Sequence, residues 1–441
     1  MYSTKEHIYE NSDENRTVAI MGLGYVGLPL ALLFSKHGFR VIGIDPDSAK
    51  IAKLQNGGSY IHEVSDADIR EAIASERFLP TSQYSASQAA EAVIICVPTP
   101  LTAYGTPDLS YLTLAAAQIG TQLRKGQLVV LESSTYPGTT KEVLMPLLGK
   151  SGLRAGEDFH VAYSPERVDP GNERFPLQRI PKIVSGISER CLERVSELYR
   201  HVFPQVHPVS STDAAEMTKI LENAYRLINI SFINEMAIAC DKLGLDVWEV
   251  VTAASTKPFG YHPFYPGPGI GGHCIPVDPS YLQWRLKKFG MDSEFIGIAN
   301  GINHRMPLYI IQQLKQAIAP KPLADSSILV YGAAYKPDIA DYRESASIDL
   351  MELLRLEGAK VYYHDPYVPK LKVGELAMAS SELTPEFLGS LDGVIIATNH
   401  SVMPLDELLE YAPLVYDSRN ATSGRSGRAA VIRLGGGEAV S

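Results

Sequence analysis

The sequence predicts an α/β protein in which two doubly wound domains are joined by a long central helix and a small helical domain. Three observations predict this fold. Apolar segments of strand length alternate with helical stretches at the start of the chain, a long run without glycine or proline follows, and the alternation of strands and helices then resumes. We therefore expect three domains, at 16–211, 212–320 and 325–431.

The first domain is predicted to contain a parallel sheet. The segments 18–21 and 41–44 are apolar and flank a glycine turn and a helix at 28–37, which together form a βαβ unit. Three further buried-strand candidates, separated by helical stretches, lie at 92–97, 128–132 and 159–163. This order of elements predicts a doubly wound, Rossmann-like sheet.

The central domain is predicted to be helical. Apolar residues recur at helical spacing across 212–243, namely Met217, Ile220, Leu221, Ala224 and Leu227. The segment 257–279 is dense in glycine and proline, so we expect a shaped loop there rather than regular structure. A helix over 306–319 then leads out of this domain.

The last domain is predicted to be a second α/β unit. Strand-like segments return with helices between them, at 327–331, 360–364, 393–397 and 414–417. The end of the chain, 435–441, is rich in glycine and is expected to be a loose tail. Apart from the shared architecture of the two α/β domains, the sequence shows no internal repeat.

Composition and charge exclude several classes of function. The chain has 441 residues, 45% of them hydrophobic, and a formal net charge of -10, which argues against a general binder of nucleic acid or of anionic membranes. Residues 1–16 lack the apolar core of a signal peptide, and no later apolar run has the length that spans a bilayer. We therefore expect a soluble, cytoplasmic protein without membrane insertion.

A glycine-rich motif predicts the cofactor. Gly22, Gly24 and Gly27 form a GxGxxG pattern, with Tyr25 and Val26 inside it, between a predicted strand and helix. Asp45 ends the second strand, where a carboxylate accepts hydrogen bonds from a ribose diol and repels a 2′-phosphate. The motif therefore predicts NAD rather than NADP, against the alternative of a glycine turn that binds nothing.

One of the four cysteines is a candidate nucleophile. Cys96, Cys191 and Cys240 lie in apolar or helical patterns that are typical of buried thiols, and no CxxC pair suggests a disulfide or a zinc site. Cys274 instead follows a glycine-rich stretch and precedes Asp278. These residues alone leave the substrate open, since aldehyde dehydrogenases, thiolases and proteases all use a cysteine nucleophile.

Seven segments, in this order, resemble those of the UDP-glucose/GDP-mannose dehydrogenase superfamily over about 16–430. They are GLGYVG at 22–27, CVPTP at 96–100, SSTYPGTT at 133–140, SPERVDPG at 164–171, EMTKILENAYR at 216–226, GGHCIPVDP at 271–279 and YKPDIADYRES at 335–345. SPER in place of NPEF, and HCIPVDP in place of C-x-x-K-D, resemble the branch that acts on N-acetylhexosamines. The resemblance implies UDP-N-acetylglucosamine as substrate, with UDP-N-acetylmannosamine and UDP-glucose as alternatives.

The resemblance also implies a two-step oxidation of a primary alcohol to a carboxylate. A water held between Asp278 and Thr135 would take the alcohol proton. The Cys274 thiolate would capture the aldehyde as a thiohemiacetal, whose oxidation gives a thioester. Lys219 and Asn223, four apart on one face of the long helix, would stabilise oxyanions, and Glu166 would serve as the base for thioester hydrolysis.

The remaining implied roles concern binding. Pro98, Thr99, Ser134 and Thr135 are expected at the NAD site, with Arg343 reaching it from the last domain. The substrate is expected to contact a larger set, namely Glu166, Arg167, Val168, Lys219, Asn223, Tyr265, Gly269, Gly271 and Lys336. Hydride chemistry with NAD needs no metal, and none is expected. The resemblance implies a homodimer or a larger homo-oligomer built on the helical domain.

Two alternatives remain open on sequence alone. One is a non-enzymatic sensor of nucleotide sugars or NAD on the same scaffold, although such a protein has no need of Cys274, Lys219 and Asp278 together. The other is a single-step dehydrogenase or an epimerase, which has no obvious use for the thiol of Cys274.

Overall fold

The computed structural model describes residues 16–61, 63–167, 177–272 and 274–437. The chain forms two compact units, Met1–Ile220 and Leu221–Ser441. The boundary between them falls within one continuous helix, Thr212–Leu243, which is the long helix expected from its apolar periodicity.

The first unit is built on an eight-stranded sheet. Its strands in chain order are β1 Thr17–Met21, β2 Arg40–Ile44, β3 Phe78–Thr81, β4 Ala92–Ile95, β5 Leu128–Leu131, β6 His160–Tyr163, β7 Lys182–Gly186 and β8 Val206–Pro208. The spatial order is β3-β2-β1-β4-β5-β6-β7-β8, and the pairs from β3 to β6 are parallel. This is the doubly wound arrangement that the sequence predicts. Strand β7 runs antiparallel to β6.

Helices cover this sheet and supply its apolar layers. They are α1 Gly27–Lys36, α2 Ser48–Gln55, α3 Asp66–Ala74, α4 Ser110–Gln122, α5 Met145–Leu148, α6 Glu189–Arg200 and the start of α7 Thr212–Leu243. A π-helix, Thr140–Leu144, directly precedes α5. Two clusters of fully buried side chains, one containing Val18 and Phe34 and the other Val93 and Tyr163, form the core.

The second unit continues α7 and then forms its own sheet. Its further helices are α8 Val247–Ser255, α9 Cys274–Lys287, α10 Glu294–Ala317, α11 Ala346–Leu356, α12 Pro385–Gly389 and α13 Leu405–Tyr411. Its strands are β9 Ser327–Tyr331, β10 Lys360–His364, β11 Lys370–Val373, β12 Leu376–Ala379, β13 Gly393–Ile396, β14 Leu414–Asp417 and β15 Ala430–Arg433. The parallel sheet has the order β10-β9-β13-β14-β15, and β11 pairs with β12 in a separate hairpin.

The prediction of a loop over 257–279 is wrong for the last part of that segment. Helix α9 begins at Cys274 and includes Pro279, so the cysteine lies at a helix N-terminus and not within a loop. Pro276 falls in the first turn, where the missing N–H costs no hydrogen bond, so proline density did not mark a loop there. Helix α10 is also longer than expected, because it begins at Glu294 rather than near 306.

The tail expected from 435 onwards is not loose over 435–437. Gly435 and Gly437 donate their backbone N–H groups to Asp241 of α7, at 3.2 Å each. The Val247 N–H donates to the Gly435 carbonyl and the Trp248 indole N–H donates to the Leu434 carbonyl, at 2.7 and 2.8 Å. This segment is therefore held on the turn between α7 and α8.

The two sheets share one turn geometry that the sequence did not reveal. Gly22 after β1 and Gly332 after β9 both have positive φ, at 89° and 86°, and each N–H bonds the last residue of the neighbouring strand at 2.8 Å. A Cβ on Gly22 would lie 2.6 Å from the Cys96 carbonyl oxygen after β4, and one on Gly332 would lie 2.5 Å from the Thr398 carbonyl oxygen after β13.

An aspartate completes each turn. Asp45 follows β2 and accepts from the Leu23 N–H at 2.9 Å, whereas Asp365 follows β10 and accepts from the Ala333 and Ala334 N–H groups at 2.7 and 2.9 Å. The second aspartate also accepts from His400 at 3.0 Å. Although burial alone would raise it, these hydrogen bonds hold the pKa of Asp365 below its ordinary value.

Candidate functional site

The first part of the site is the turn between β1 and α1. Gly27 packs so closely on the turn that a Cβ would lie 1.8 Å from the Gly22 carbonyl oxygen, whereas a Cβ on Gly24 would meet no atom within 4 Å. The turn is therefore tightly packed underneath and open above Gly24. Tyr25 and Val26 complete this open turn and are partly exposed. Such a turn at a helix N-terminus suits a diphosphate.

Asp45 lies beside this turn at the end of β2. Its Oδ2 accepts from the Leu23 N–H and its Oδ1 accepts from the Asp47 N–H at 3.0 Å. A carboxylate has about four lone-pair positions, so acceptor capacity remains for the two hydroxyls of a ribose. The residues of the turn thus fit a dinucleotide cofactor that lacks a 2′-phosphate.

Two loops at the carboxyl ends of β4 and β5 are tied together. The Thr99 hydroxyl donates to the Ser134 carbonyl at 2.7 Å, and the Ser133 hydroxyl donates to the Val97 carbonyl at 2.7 Å. Pro98 is exposed between these two contacts. In a doubly wound sheet, ligands bind outside the carboxyl ends of the strands, which is where Pro98, Thr99 and Ser134 lie.

Thr135 follows Ser134 and is buried. Its exposed fraction is 2%, and its hydroxyl oxygen finds no hydrogen-bond partner among the residues that the structure describes. Buried hydroxyls are nearly always paired, so an unpaired one marks a position where a further polar group fits.

Lys219 and Glu166 form a buried ion pair in the first unit. Lys219 lies on α7, Glu166 lies two residues after Ser164 at the end of β6, and their charged atoms are 2.9 Å apart. Both side chains are about 6–7% exposed. Because neither charge is in bulk water, each depends on close polar partners and can act on a ligand at a low local dielectric constant.

Arg167 has one described contact with the segment before β7. Its guanidinium donates to the Pro181 carbonyl at 3.0 Å, which ties the end of the SPER segment to the start of β7. Val168, the next predicted substrate contact, lies outside the described residues.

A second buried pair was not anticipated from sequence. Lys182 of β7 bonds Glu132 at 2.8 Å, both side chains are at most 6% exposed, and the Tyr199 hydroxyl also donates to Glu132. Glu132 directly precedes the Ser133 loop. The sequence did contain a signal for this pair, because Glu132 follows one apolar strand and Lys182 begins another. Charged residues buried at strand ends must be paired.

The second unit contains the cysteine. Cys274 is the first residue of α9 and is partly exposed, in contrast to the buried Cys96, Cys191 and Cys240. Burial raises the pKa of the Cys96 thiol well above its ordinary value, and burial and two nearby aspartates raise that of Cys240. The N-terminus of a helix favours negative charge, so α9 favours an anionic sulfur at Cys274.

Asp278 and Asn223 accompany the cysteine. Asp278 lies four residues after Cys274 and therefore on the same face of α9. Its side chain is 1% exposed, and its Oδ2 accepts from the Asn223 amide at 2.7 Å. A buried carboxylate one helical turn from a thiol can exchange protons with a ligand that reaches the sulfur.

The glycines before Cys274 permit close contact with the segment after β9. A Cβ on Gly271 would lie 2.5 Å from the Tyr335 Cβ, and one on Gly269 would lie 2.9 Å from the Ala346 Cβ. The Gly272 N–H also donates to the Arg343 carbonyl at 3.3 Å. The glycine-rich stretch and the YKPDIADYRES segment therefore form one surface of the second unit.

Three cationic residues belong to this surface. Lys336 is partly buried after Tyr335. Arg343 is paired with Asp341 through several contacts of 2.6 to 3.1 Å. Arg419, after β14, was missed by the sequence analysis. Its guanidinium is so close to the glycine-rich stretch that a Cβ on Gly267 would lie 2.4 Å from it.

Arg419 remains a cation at neutral pH. Burial lowers the pKa of its guanidinium to about 10, which still leaves it charged at pH 7. Its Nε donates to the Ala397 carbonyl at 2.7 Å, so the side chain is fixed. No motif marked it, because it lies far from Gly267 in the sequence.

Tyr265 precedes the glycine-rich stretch. Its ring stacks on Trp248 of α8, with centroids 6.1 Å apart and planes 13° from parallel. The outer part of the ring is exposed. Tyr265 is thus fixed in orientation on one side and open on the other.

Two further observations concern the described residues only. They contain no group of three or more His, Cys, Asp or Glu side chains that could hold a metal ion. None of their helices is long and apolar enough to cross a membrane.

Comparisons with known proteins match every part of this arrangement to one family. The NAD binding domain of the UDP-glucose/GDP-mannose dehydrogenase family matches residues 16–203, its central domain matches 213–305 and its UDP binding domain matches 329–424. A UDP-N-acetyl-D-glucosamine 6-dehydrogenase of Pseudomonas aeruginosa is 38% identical over 391 residues, which is 87% of this chain and 90% of that protein.

Relatives named for a different substrate are almost as similar. A UDP-N-acetyl-D-mannosamine dehydrogenase of Pyrococcus horikoshii is 34% identical over 387 residues, 87% of this chain and 89% of that protein. A solved structure of the UDP-D-ManNAc dehydrogenase from that organism has a TM-score of 0.87 at 32% identity, covering 96% of this chain and all of that chain.

Proposed function

The chain belongs to the UDP-glucose/GDP-mannose dehydrogenase family and is an NAD-dependent nucleotide-sugar dehydrogenase, and from this premise we propose that it oxidises the primary alcohol of UDP-N-acetylglucosamine to the carboxylate. The product, a UDP-N-acetylglucosaminuronate, would be a precursor for polysaccharide synthesis. The observation that carries the proposal is the partly exposed thiol of Cys274 at the start of α9, one turn from the buried carboxylate of Asp278.

We assign the cofactor to the first unit, within the proposed domain 16–211. Gly22, Gly24 and Gly27 would admit the diphosphate of NAD, and Asp45 would accept its ribose hydroxyls. Pro98, Thr99 and Ser134 would border the cofactor at the carboxyl ends of β4 and β5. NAD supplies the hydride acceptor when it is bound.

The protein's own residues would handle protons and the acyl group. Asp278, oriented by Asn223, takes up the proton that the alcohol loses as its hydride departs. The Cys274 sulfur then adds to the aldehyde carbon and gives a thiohemiacetal. Loss of a second hydride and of the hydroxyl proton converts this adduct to a thioester.

Hydrolysis would complete the reaction. Glu166 removes a proton from water, which attacks the thioester, and the Cys274 thiolate leaves. Lys219 and Asn223 stabilise the oxyanions that form along this route, and the Thr135 hydroxyl contributes a further polar contact. The sum oxidises one primary alcohol to a carboxylate whose second oxygen comes from water, with two hydrides accepted by two NAD and the remaining protons released to solvent.

Several substrate contacts would come from the proposed helical domain and the proposed last domain. Gly269, Gly271 and Tyr265 border the sugar in the proposed helical domain 212–320, and Lys336 with Arg419 places positive charge near the diphosphate in the proposed domain 325–431. Arg167 and Arg343 remain further candidates for charged contacts, with the substrate and with NAD respectively.

UDP-N-acetylmannosamine is the second candidate substrate. It is favoured by the TM-score of the Pyrococcus horikoshii enzyme, whereas the identity to the Pseudomonas aeruginosa enzyme favours the glucosamine epimer. The two epimers differ only at C2, while the oxidised carbon is C6. The chemistry proposed for Cys274 is therefore the same for both.

The test is the yield of NADH from the purified protein with each sugar nucleotide separately. UDP-N-acetylglucosamine, UDP-N-acetylmannosamine, UDP-glucose and GDP-mannose would each be supplied with excess NAD, and the sugar product identified by mass. We expect two NADH and one uronate per UDP-N-acetylglucosamine consumed. Turnover with only the mannosamine epimer would overturn the substrate, and one NADH per sugar would overturn the two-step chemistry.

Two wider expectations follow from this proposal. A reduced thiol at Cys274 requires a compartment that keeps cysteines reduced, so we place the reaction in the cytoplasm. We also propose that the chain acts as a homodimer or a larger homo-oligomer.

A further inference from the structure

Glu216 occupies an unusual position in the first unit. It lies on α7, three residues before Lys219, and its side chain is fully buried. It is not paired with a cation in any described contact. Instead, its carboxylate faces the segment 133–140, which carries Ser134 and Thr135.

The carboxylate accepts three hydrogen bonds from that segment. Oε2 accepts from the Gly138 N–H at 2.6 Å, and Oε1 accepts from the Thr140 N–H at 2.8 Å and from the Thr140 hydroxyl at 2.7 Å. A carboxylate at the start of a helix also stabilises the unpaired N–H groups there, and the π-helix begins at Thr140.

We propose that Glu216 is a positioning residue, which fixes the segment 133–140 on the first turns of α7 and so sets the place of the Thr135 hydroxyl relative to the helix that carries Lys219. This inference rests on the proposed roles of Thr135 and Lys219. It adds a residue that makes no contact with the reacting atoms and acts through its hydrogen bonds.

The charge state of Glu216 controls this attachment. The ionised carboxylate accepts all three hydrogen bonds at full strength, whereas the protonated form carries an O–H on one oxygen and accepts more weakly there. Burial raises the pKa of Glu216 to about 7, although the hydrogen bonds from Thr140 and Gly138 lower it. Protonation as the pH falls below 7 therefore weakens the attachment.

The charged groups around Glu216 are few. Asp213, one turn earlier on α7, raises its pKa further and is itself paired with Lys141 on the π-helix. Glu142 on the same π-helix is exposed. The Lys219–Glu166 pair begins one turn further along α7.

Glu216→Gln tests the attachment directly. An amide has one oxygen, and each carboxylate oxygen of Glu216 now faces a backbone N–H, so either orientation of the amide places its NH2 against a donor. We expect kcat to fall roughly ten- to a hundredfold at pH 8, because a small displacement of a reacting group costs up to about a hundredfold. In the native protein we expect kcat to fall as the pH drops below about 7, because Glu216 is then protonated, and this acid limb of the kcat profile should disappear in Glu216→Gln.

Two substitutions near Glu216 should shift the pH of the acid limb of the kcat profile in opposite directions. Asp213→Asn removes a charge that raises the pKa of Glu216, so the limb should shift to lower pH. Thr140→Val removes a hydrogen bond that lowers this pKa, so the limb should shift to higher pH. Glu197→Gln, which breaks an exposed ion pair on α6, is the matched control and should leave the limb in place.

Amide hydrogen exchange separates this inference from the proposed function. Protection of the Gly138 and Thr140 amides should fall in Glu216→Gln, and in the native protein below pH 7, whether or not any sugar nucleotide is turned over. A native kcat and acid limb in Glu216→Gln would overturn the proposal. So would unchanged protection, or limbs that shift in the same direction in Asp213→Asn and Thr140→Val.

Discussion

At the scale of single residues, the chemistry is carried by side chains whose partners come from distant parts of the chain. Asp278 on α9 bonds Asn223 on α7, and Lys219 on α7 bonds Glu166 after β6. Each of these acidic and cationic groups is buried and has a close polar neighbour. A change at any of them therefore removes a buried polar contact of its neighbour as well as its own chemistry.

Cys274→Ala should separate the two oxidation steps. Without the sulfur no thioester forms, so we expect the rate of uronate formation to fall at least about a thousandfold, while NAD binding is unchanged. At most one NADH per sugar should be released. The measurement is single-turnover NADH formation with product analysis by mass spectrometry.

The matched control for this change is Cys240→Ala. Cys240 is buried on α7, and its thiol is held protonated by burial and by the nearby Asp241 and Asp246. Full turnover is expected from it. Two NADH per sugar from Cys274→Ala would contradict the covalent mechanism.

Sequence reasoning assigned roles to residues whose sequence neighbours suggest a chemistry, and it assigned none to residues whose contacts are distant in the sequence. Cys274 and Asp45 were identifiable because their neighbours in the sequence, a glycine stretch and a strand end, also surround them in space. Glu216, Glu132 and Arg419 were not. Their partners lie 76, 50 and more than a hundred positions away, and only packing brings them together.

At the scale of elements, the strand–glycine–helix unit was predictable and the start of α9 was not. The glycine turn after β1 follows from an apolar strand, a GxGxxG pattern and a helix in sequence, each with its own periodicity. Helix α9 begins inside a segment whose glycines and prolines predicted a loop. Proline in a first helical turn gives the same composition as proline in a loop.

A pair of glycine variants should distinguish packing from ligand binding in the first turn. Gly22→Ala places a methyl group at positive φ and 2.6 Å from the Cys96 carbonyl, so we expect the free energy of unfolding to fall by about 2–4 kcal/mol. Gly24→Ala meets no atom within 4 Å. Its stability should change by less than about 1 kcal/mol.

In Gly24→Ala we expect NAD binding to weaken although stability is nearly unchanged. A methyl group on Gly24 would occupy the space proposed for the diphosphate, so we expect the KM for NAD to rise at least about tenfold. Thermal unfolding and NAD titration of both variants are the measurements. A Gly24→Ala protein with native NAD affinity would show that the diphosphate lies elsewhere.

At the scale of the whole molecule, the second unit exposes large apolar side chains on its helical part. Phe289, Met291, Phe295 and Ile298 lie around the start of α10, and each is more than half exposed. Phe295 and Ile298 are one helical turn apart and so face the same direction. Clustered apolar side chains of this size usually mark a protein interface.

We therefore predict that this apolar cluster contributes to a homodimer. Phe295→Asp should raise the dissociation constant of the oligomer at least about a hundredfold, because a large apolar side chain at an interface can carry several kcal/mol of binding free energy. Sedimentation velocity over a range of concentrations is the measurement.

Leu356→Asp is the matched control for this change. Leu356 ends α11 and is 78% exposed, compared with 72% for Phe295, but it lies outside the apolar cluster. Its variant should keep the native mass. A native chain that sediments as a monomer at all concentrations would refute the oligomer.

The twin turns after β1 and β9 have a consequence for the ancestry of the molecule. Both combine a positive-φ glycine with an aspartate that follows the neighbouring strand and accepts from the turn N–H groups. Such agreement in detail is what duplication of a single ancestral module would leave behind. The two turns differ in what their carboxylates bind. Asp45 keeps acceptor positions that a ligand can use. At Asp365 the imidazole of His400, a side chain of the protein itself, bonds the carboxylate instead.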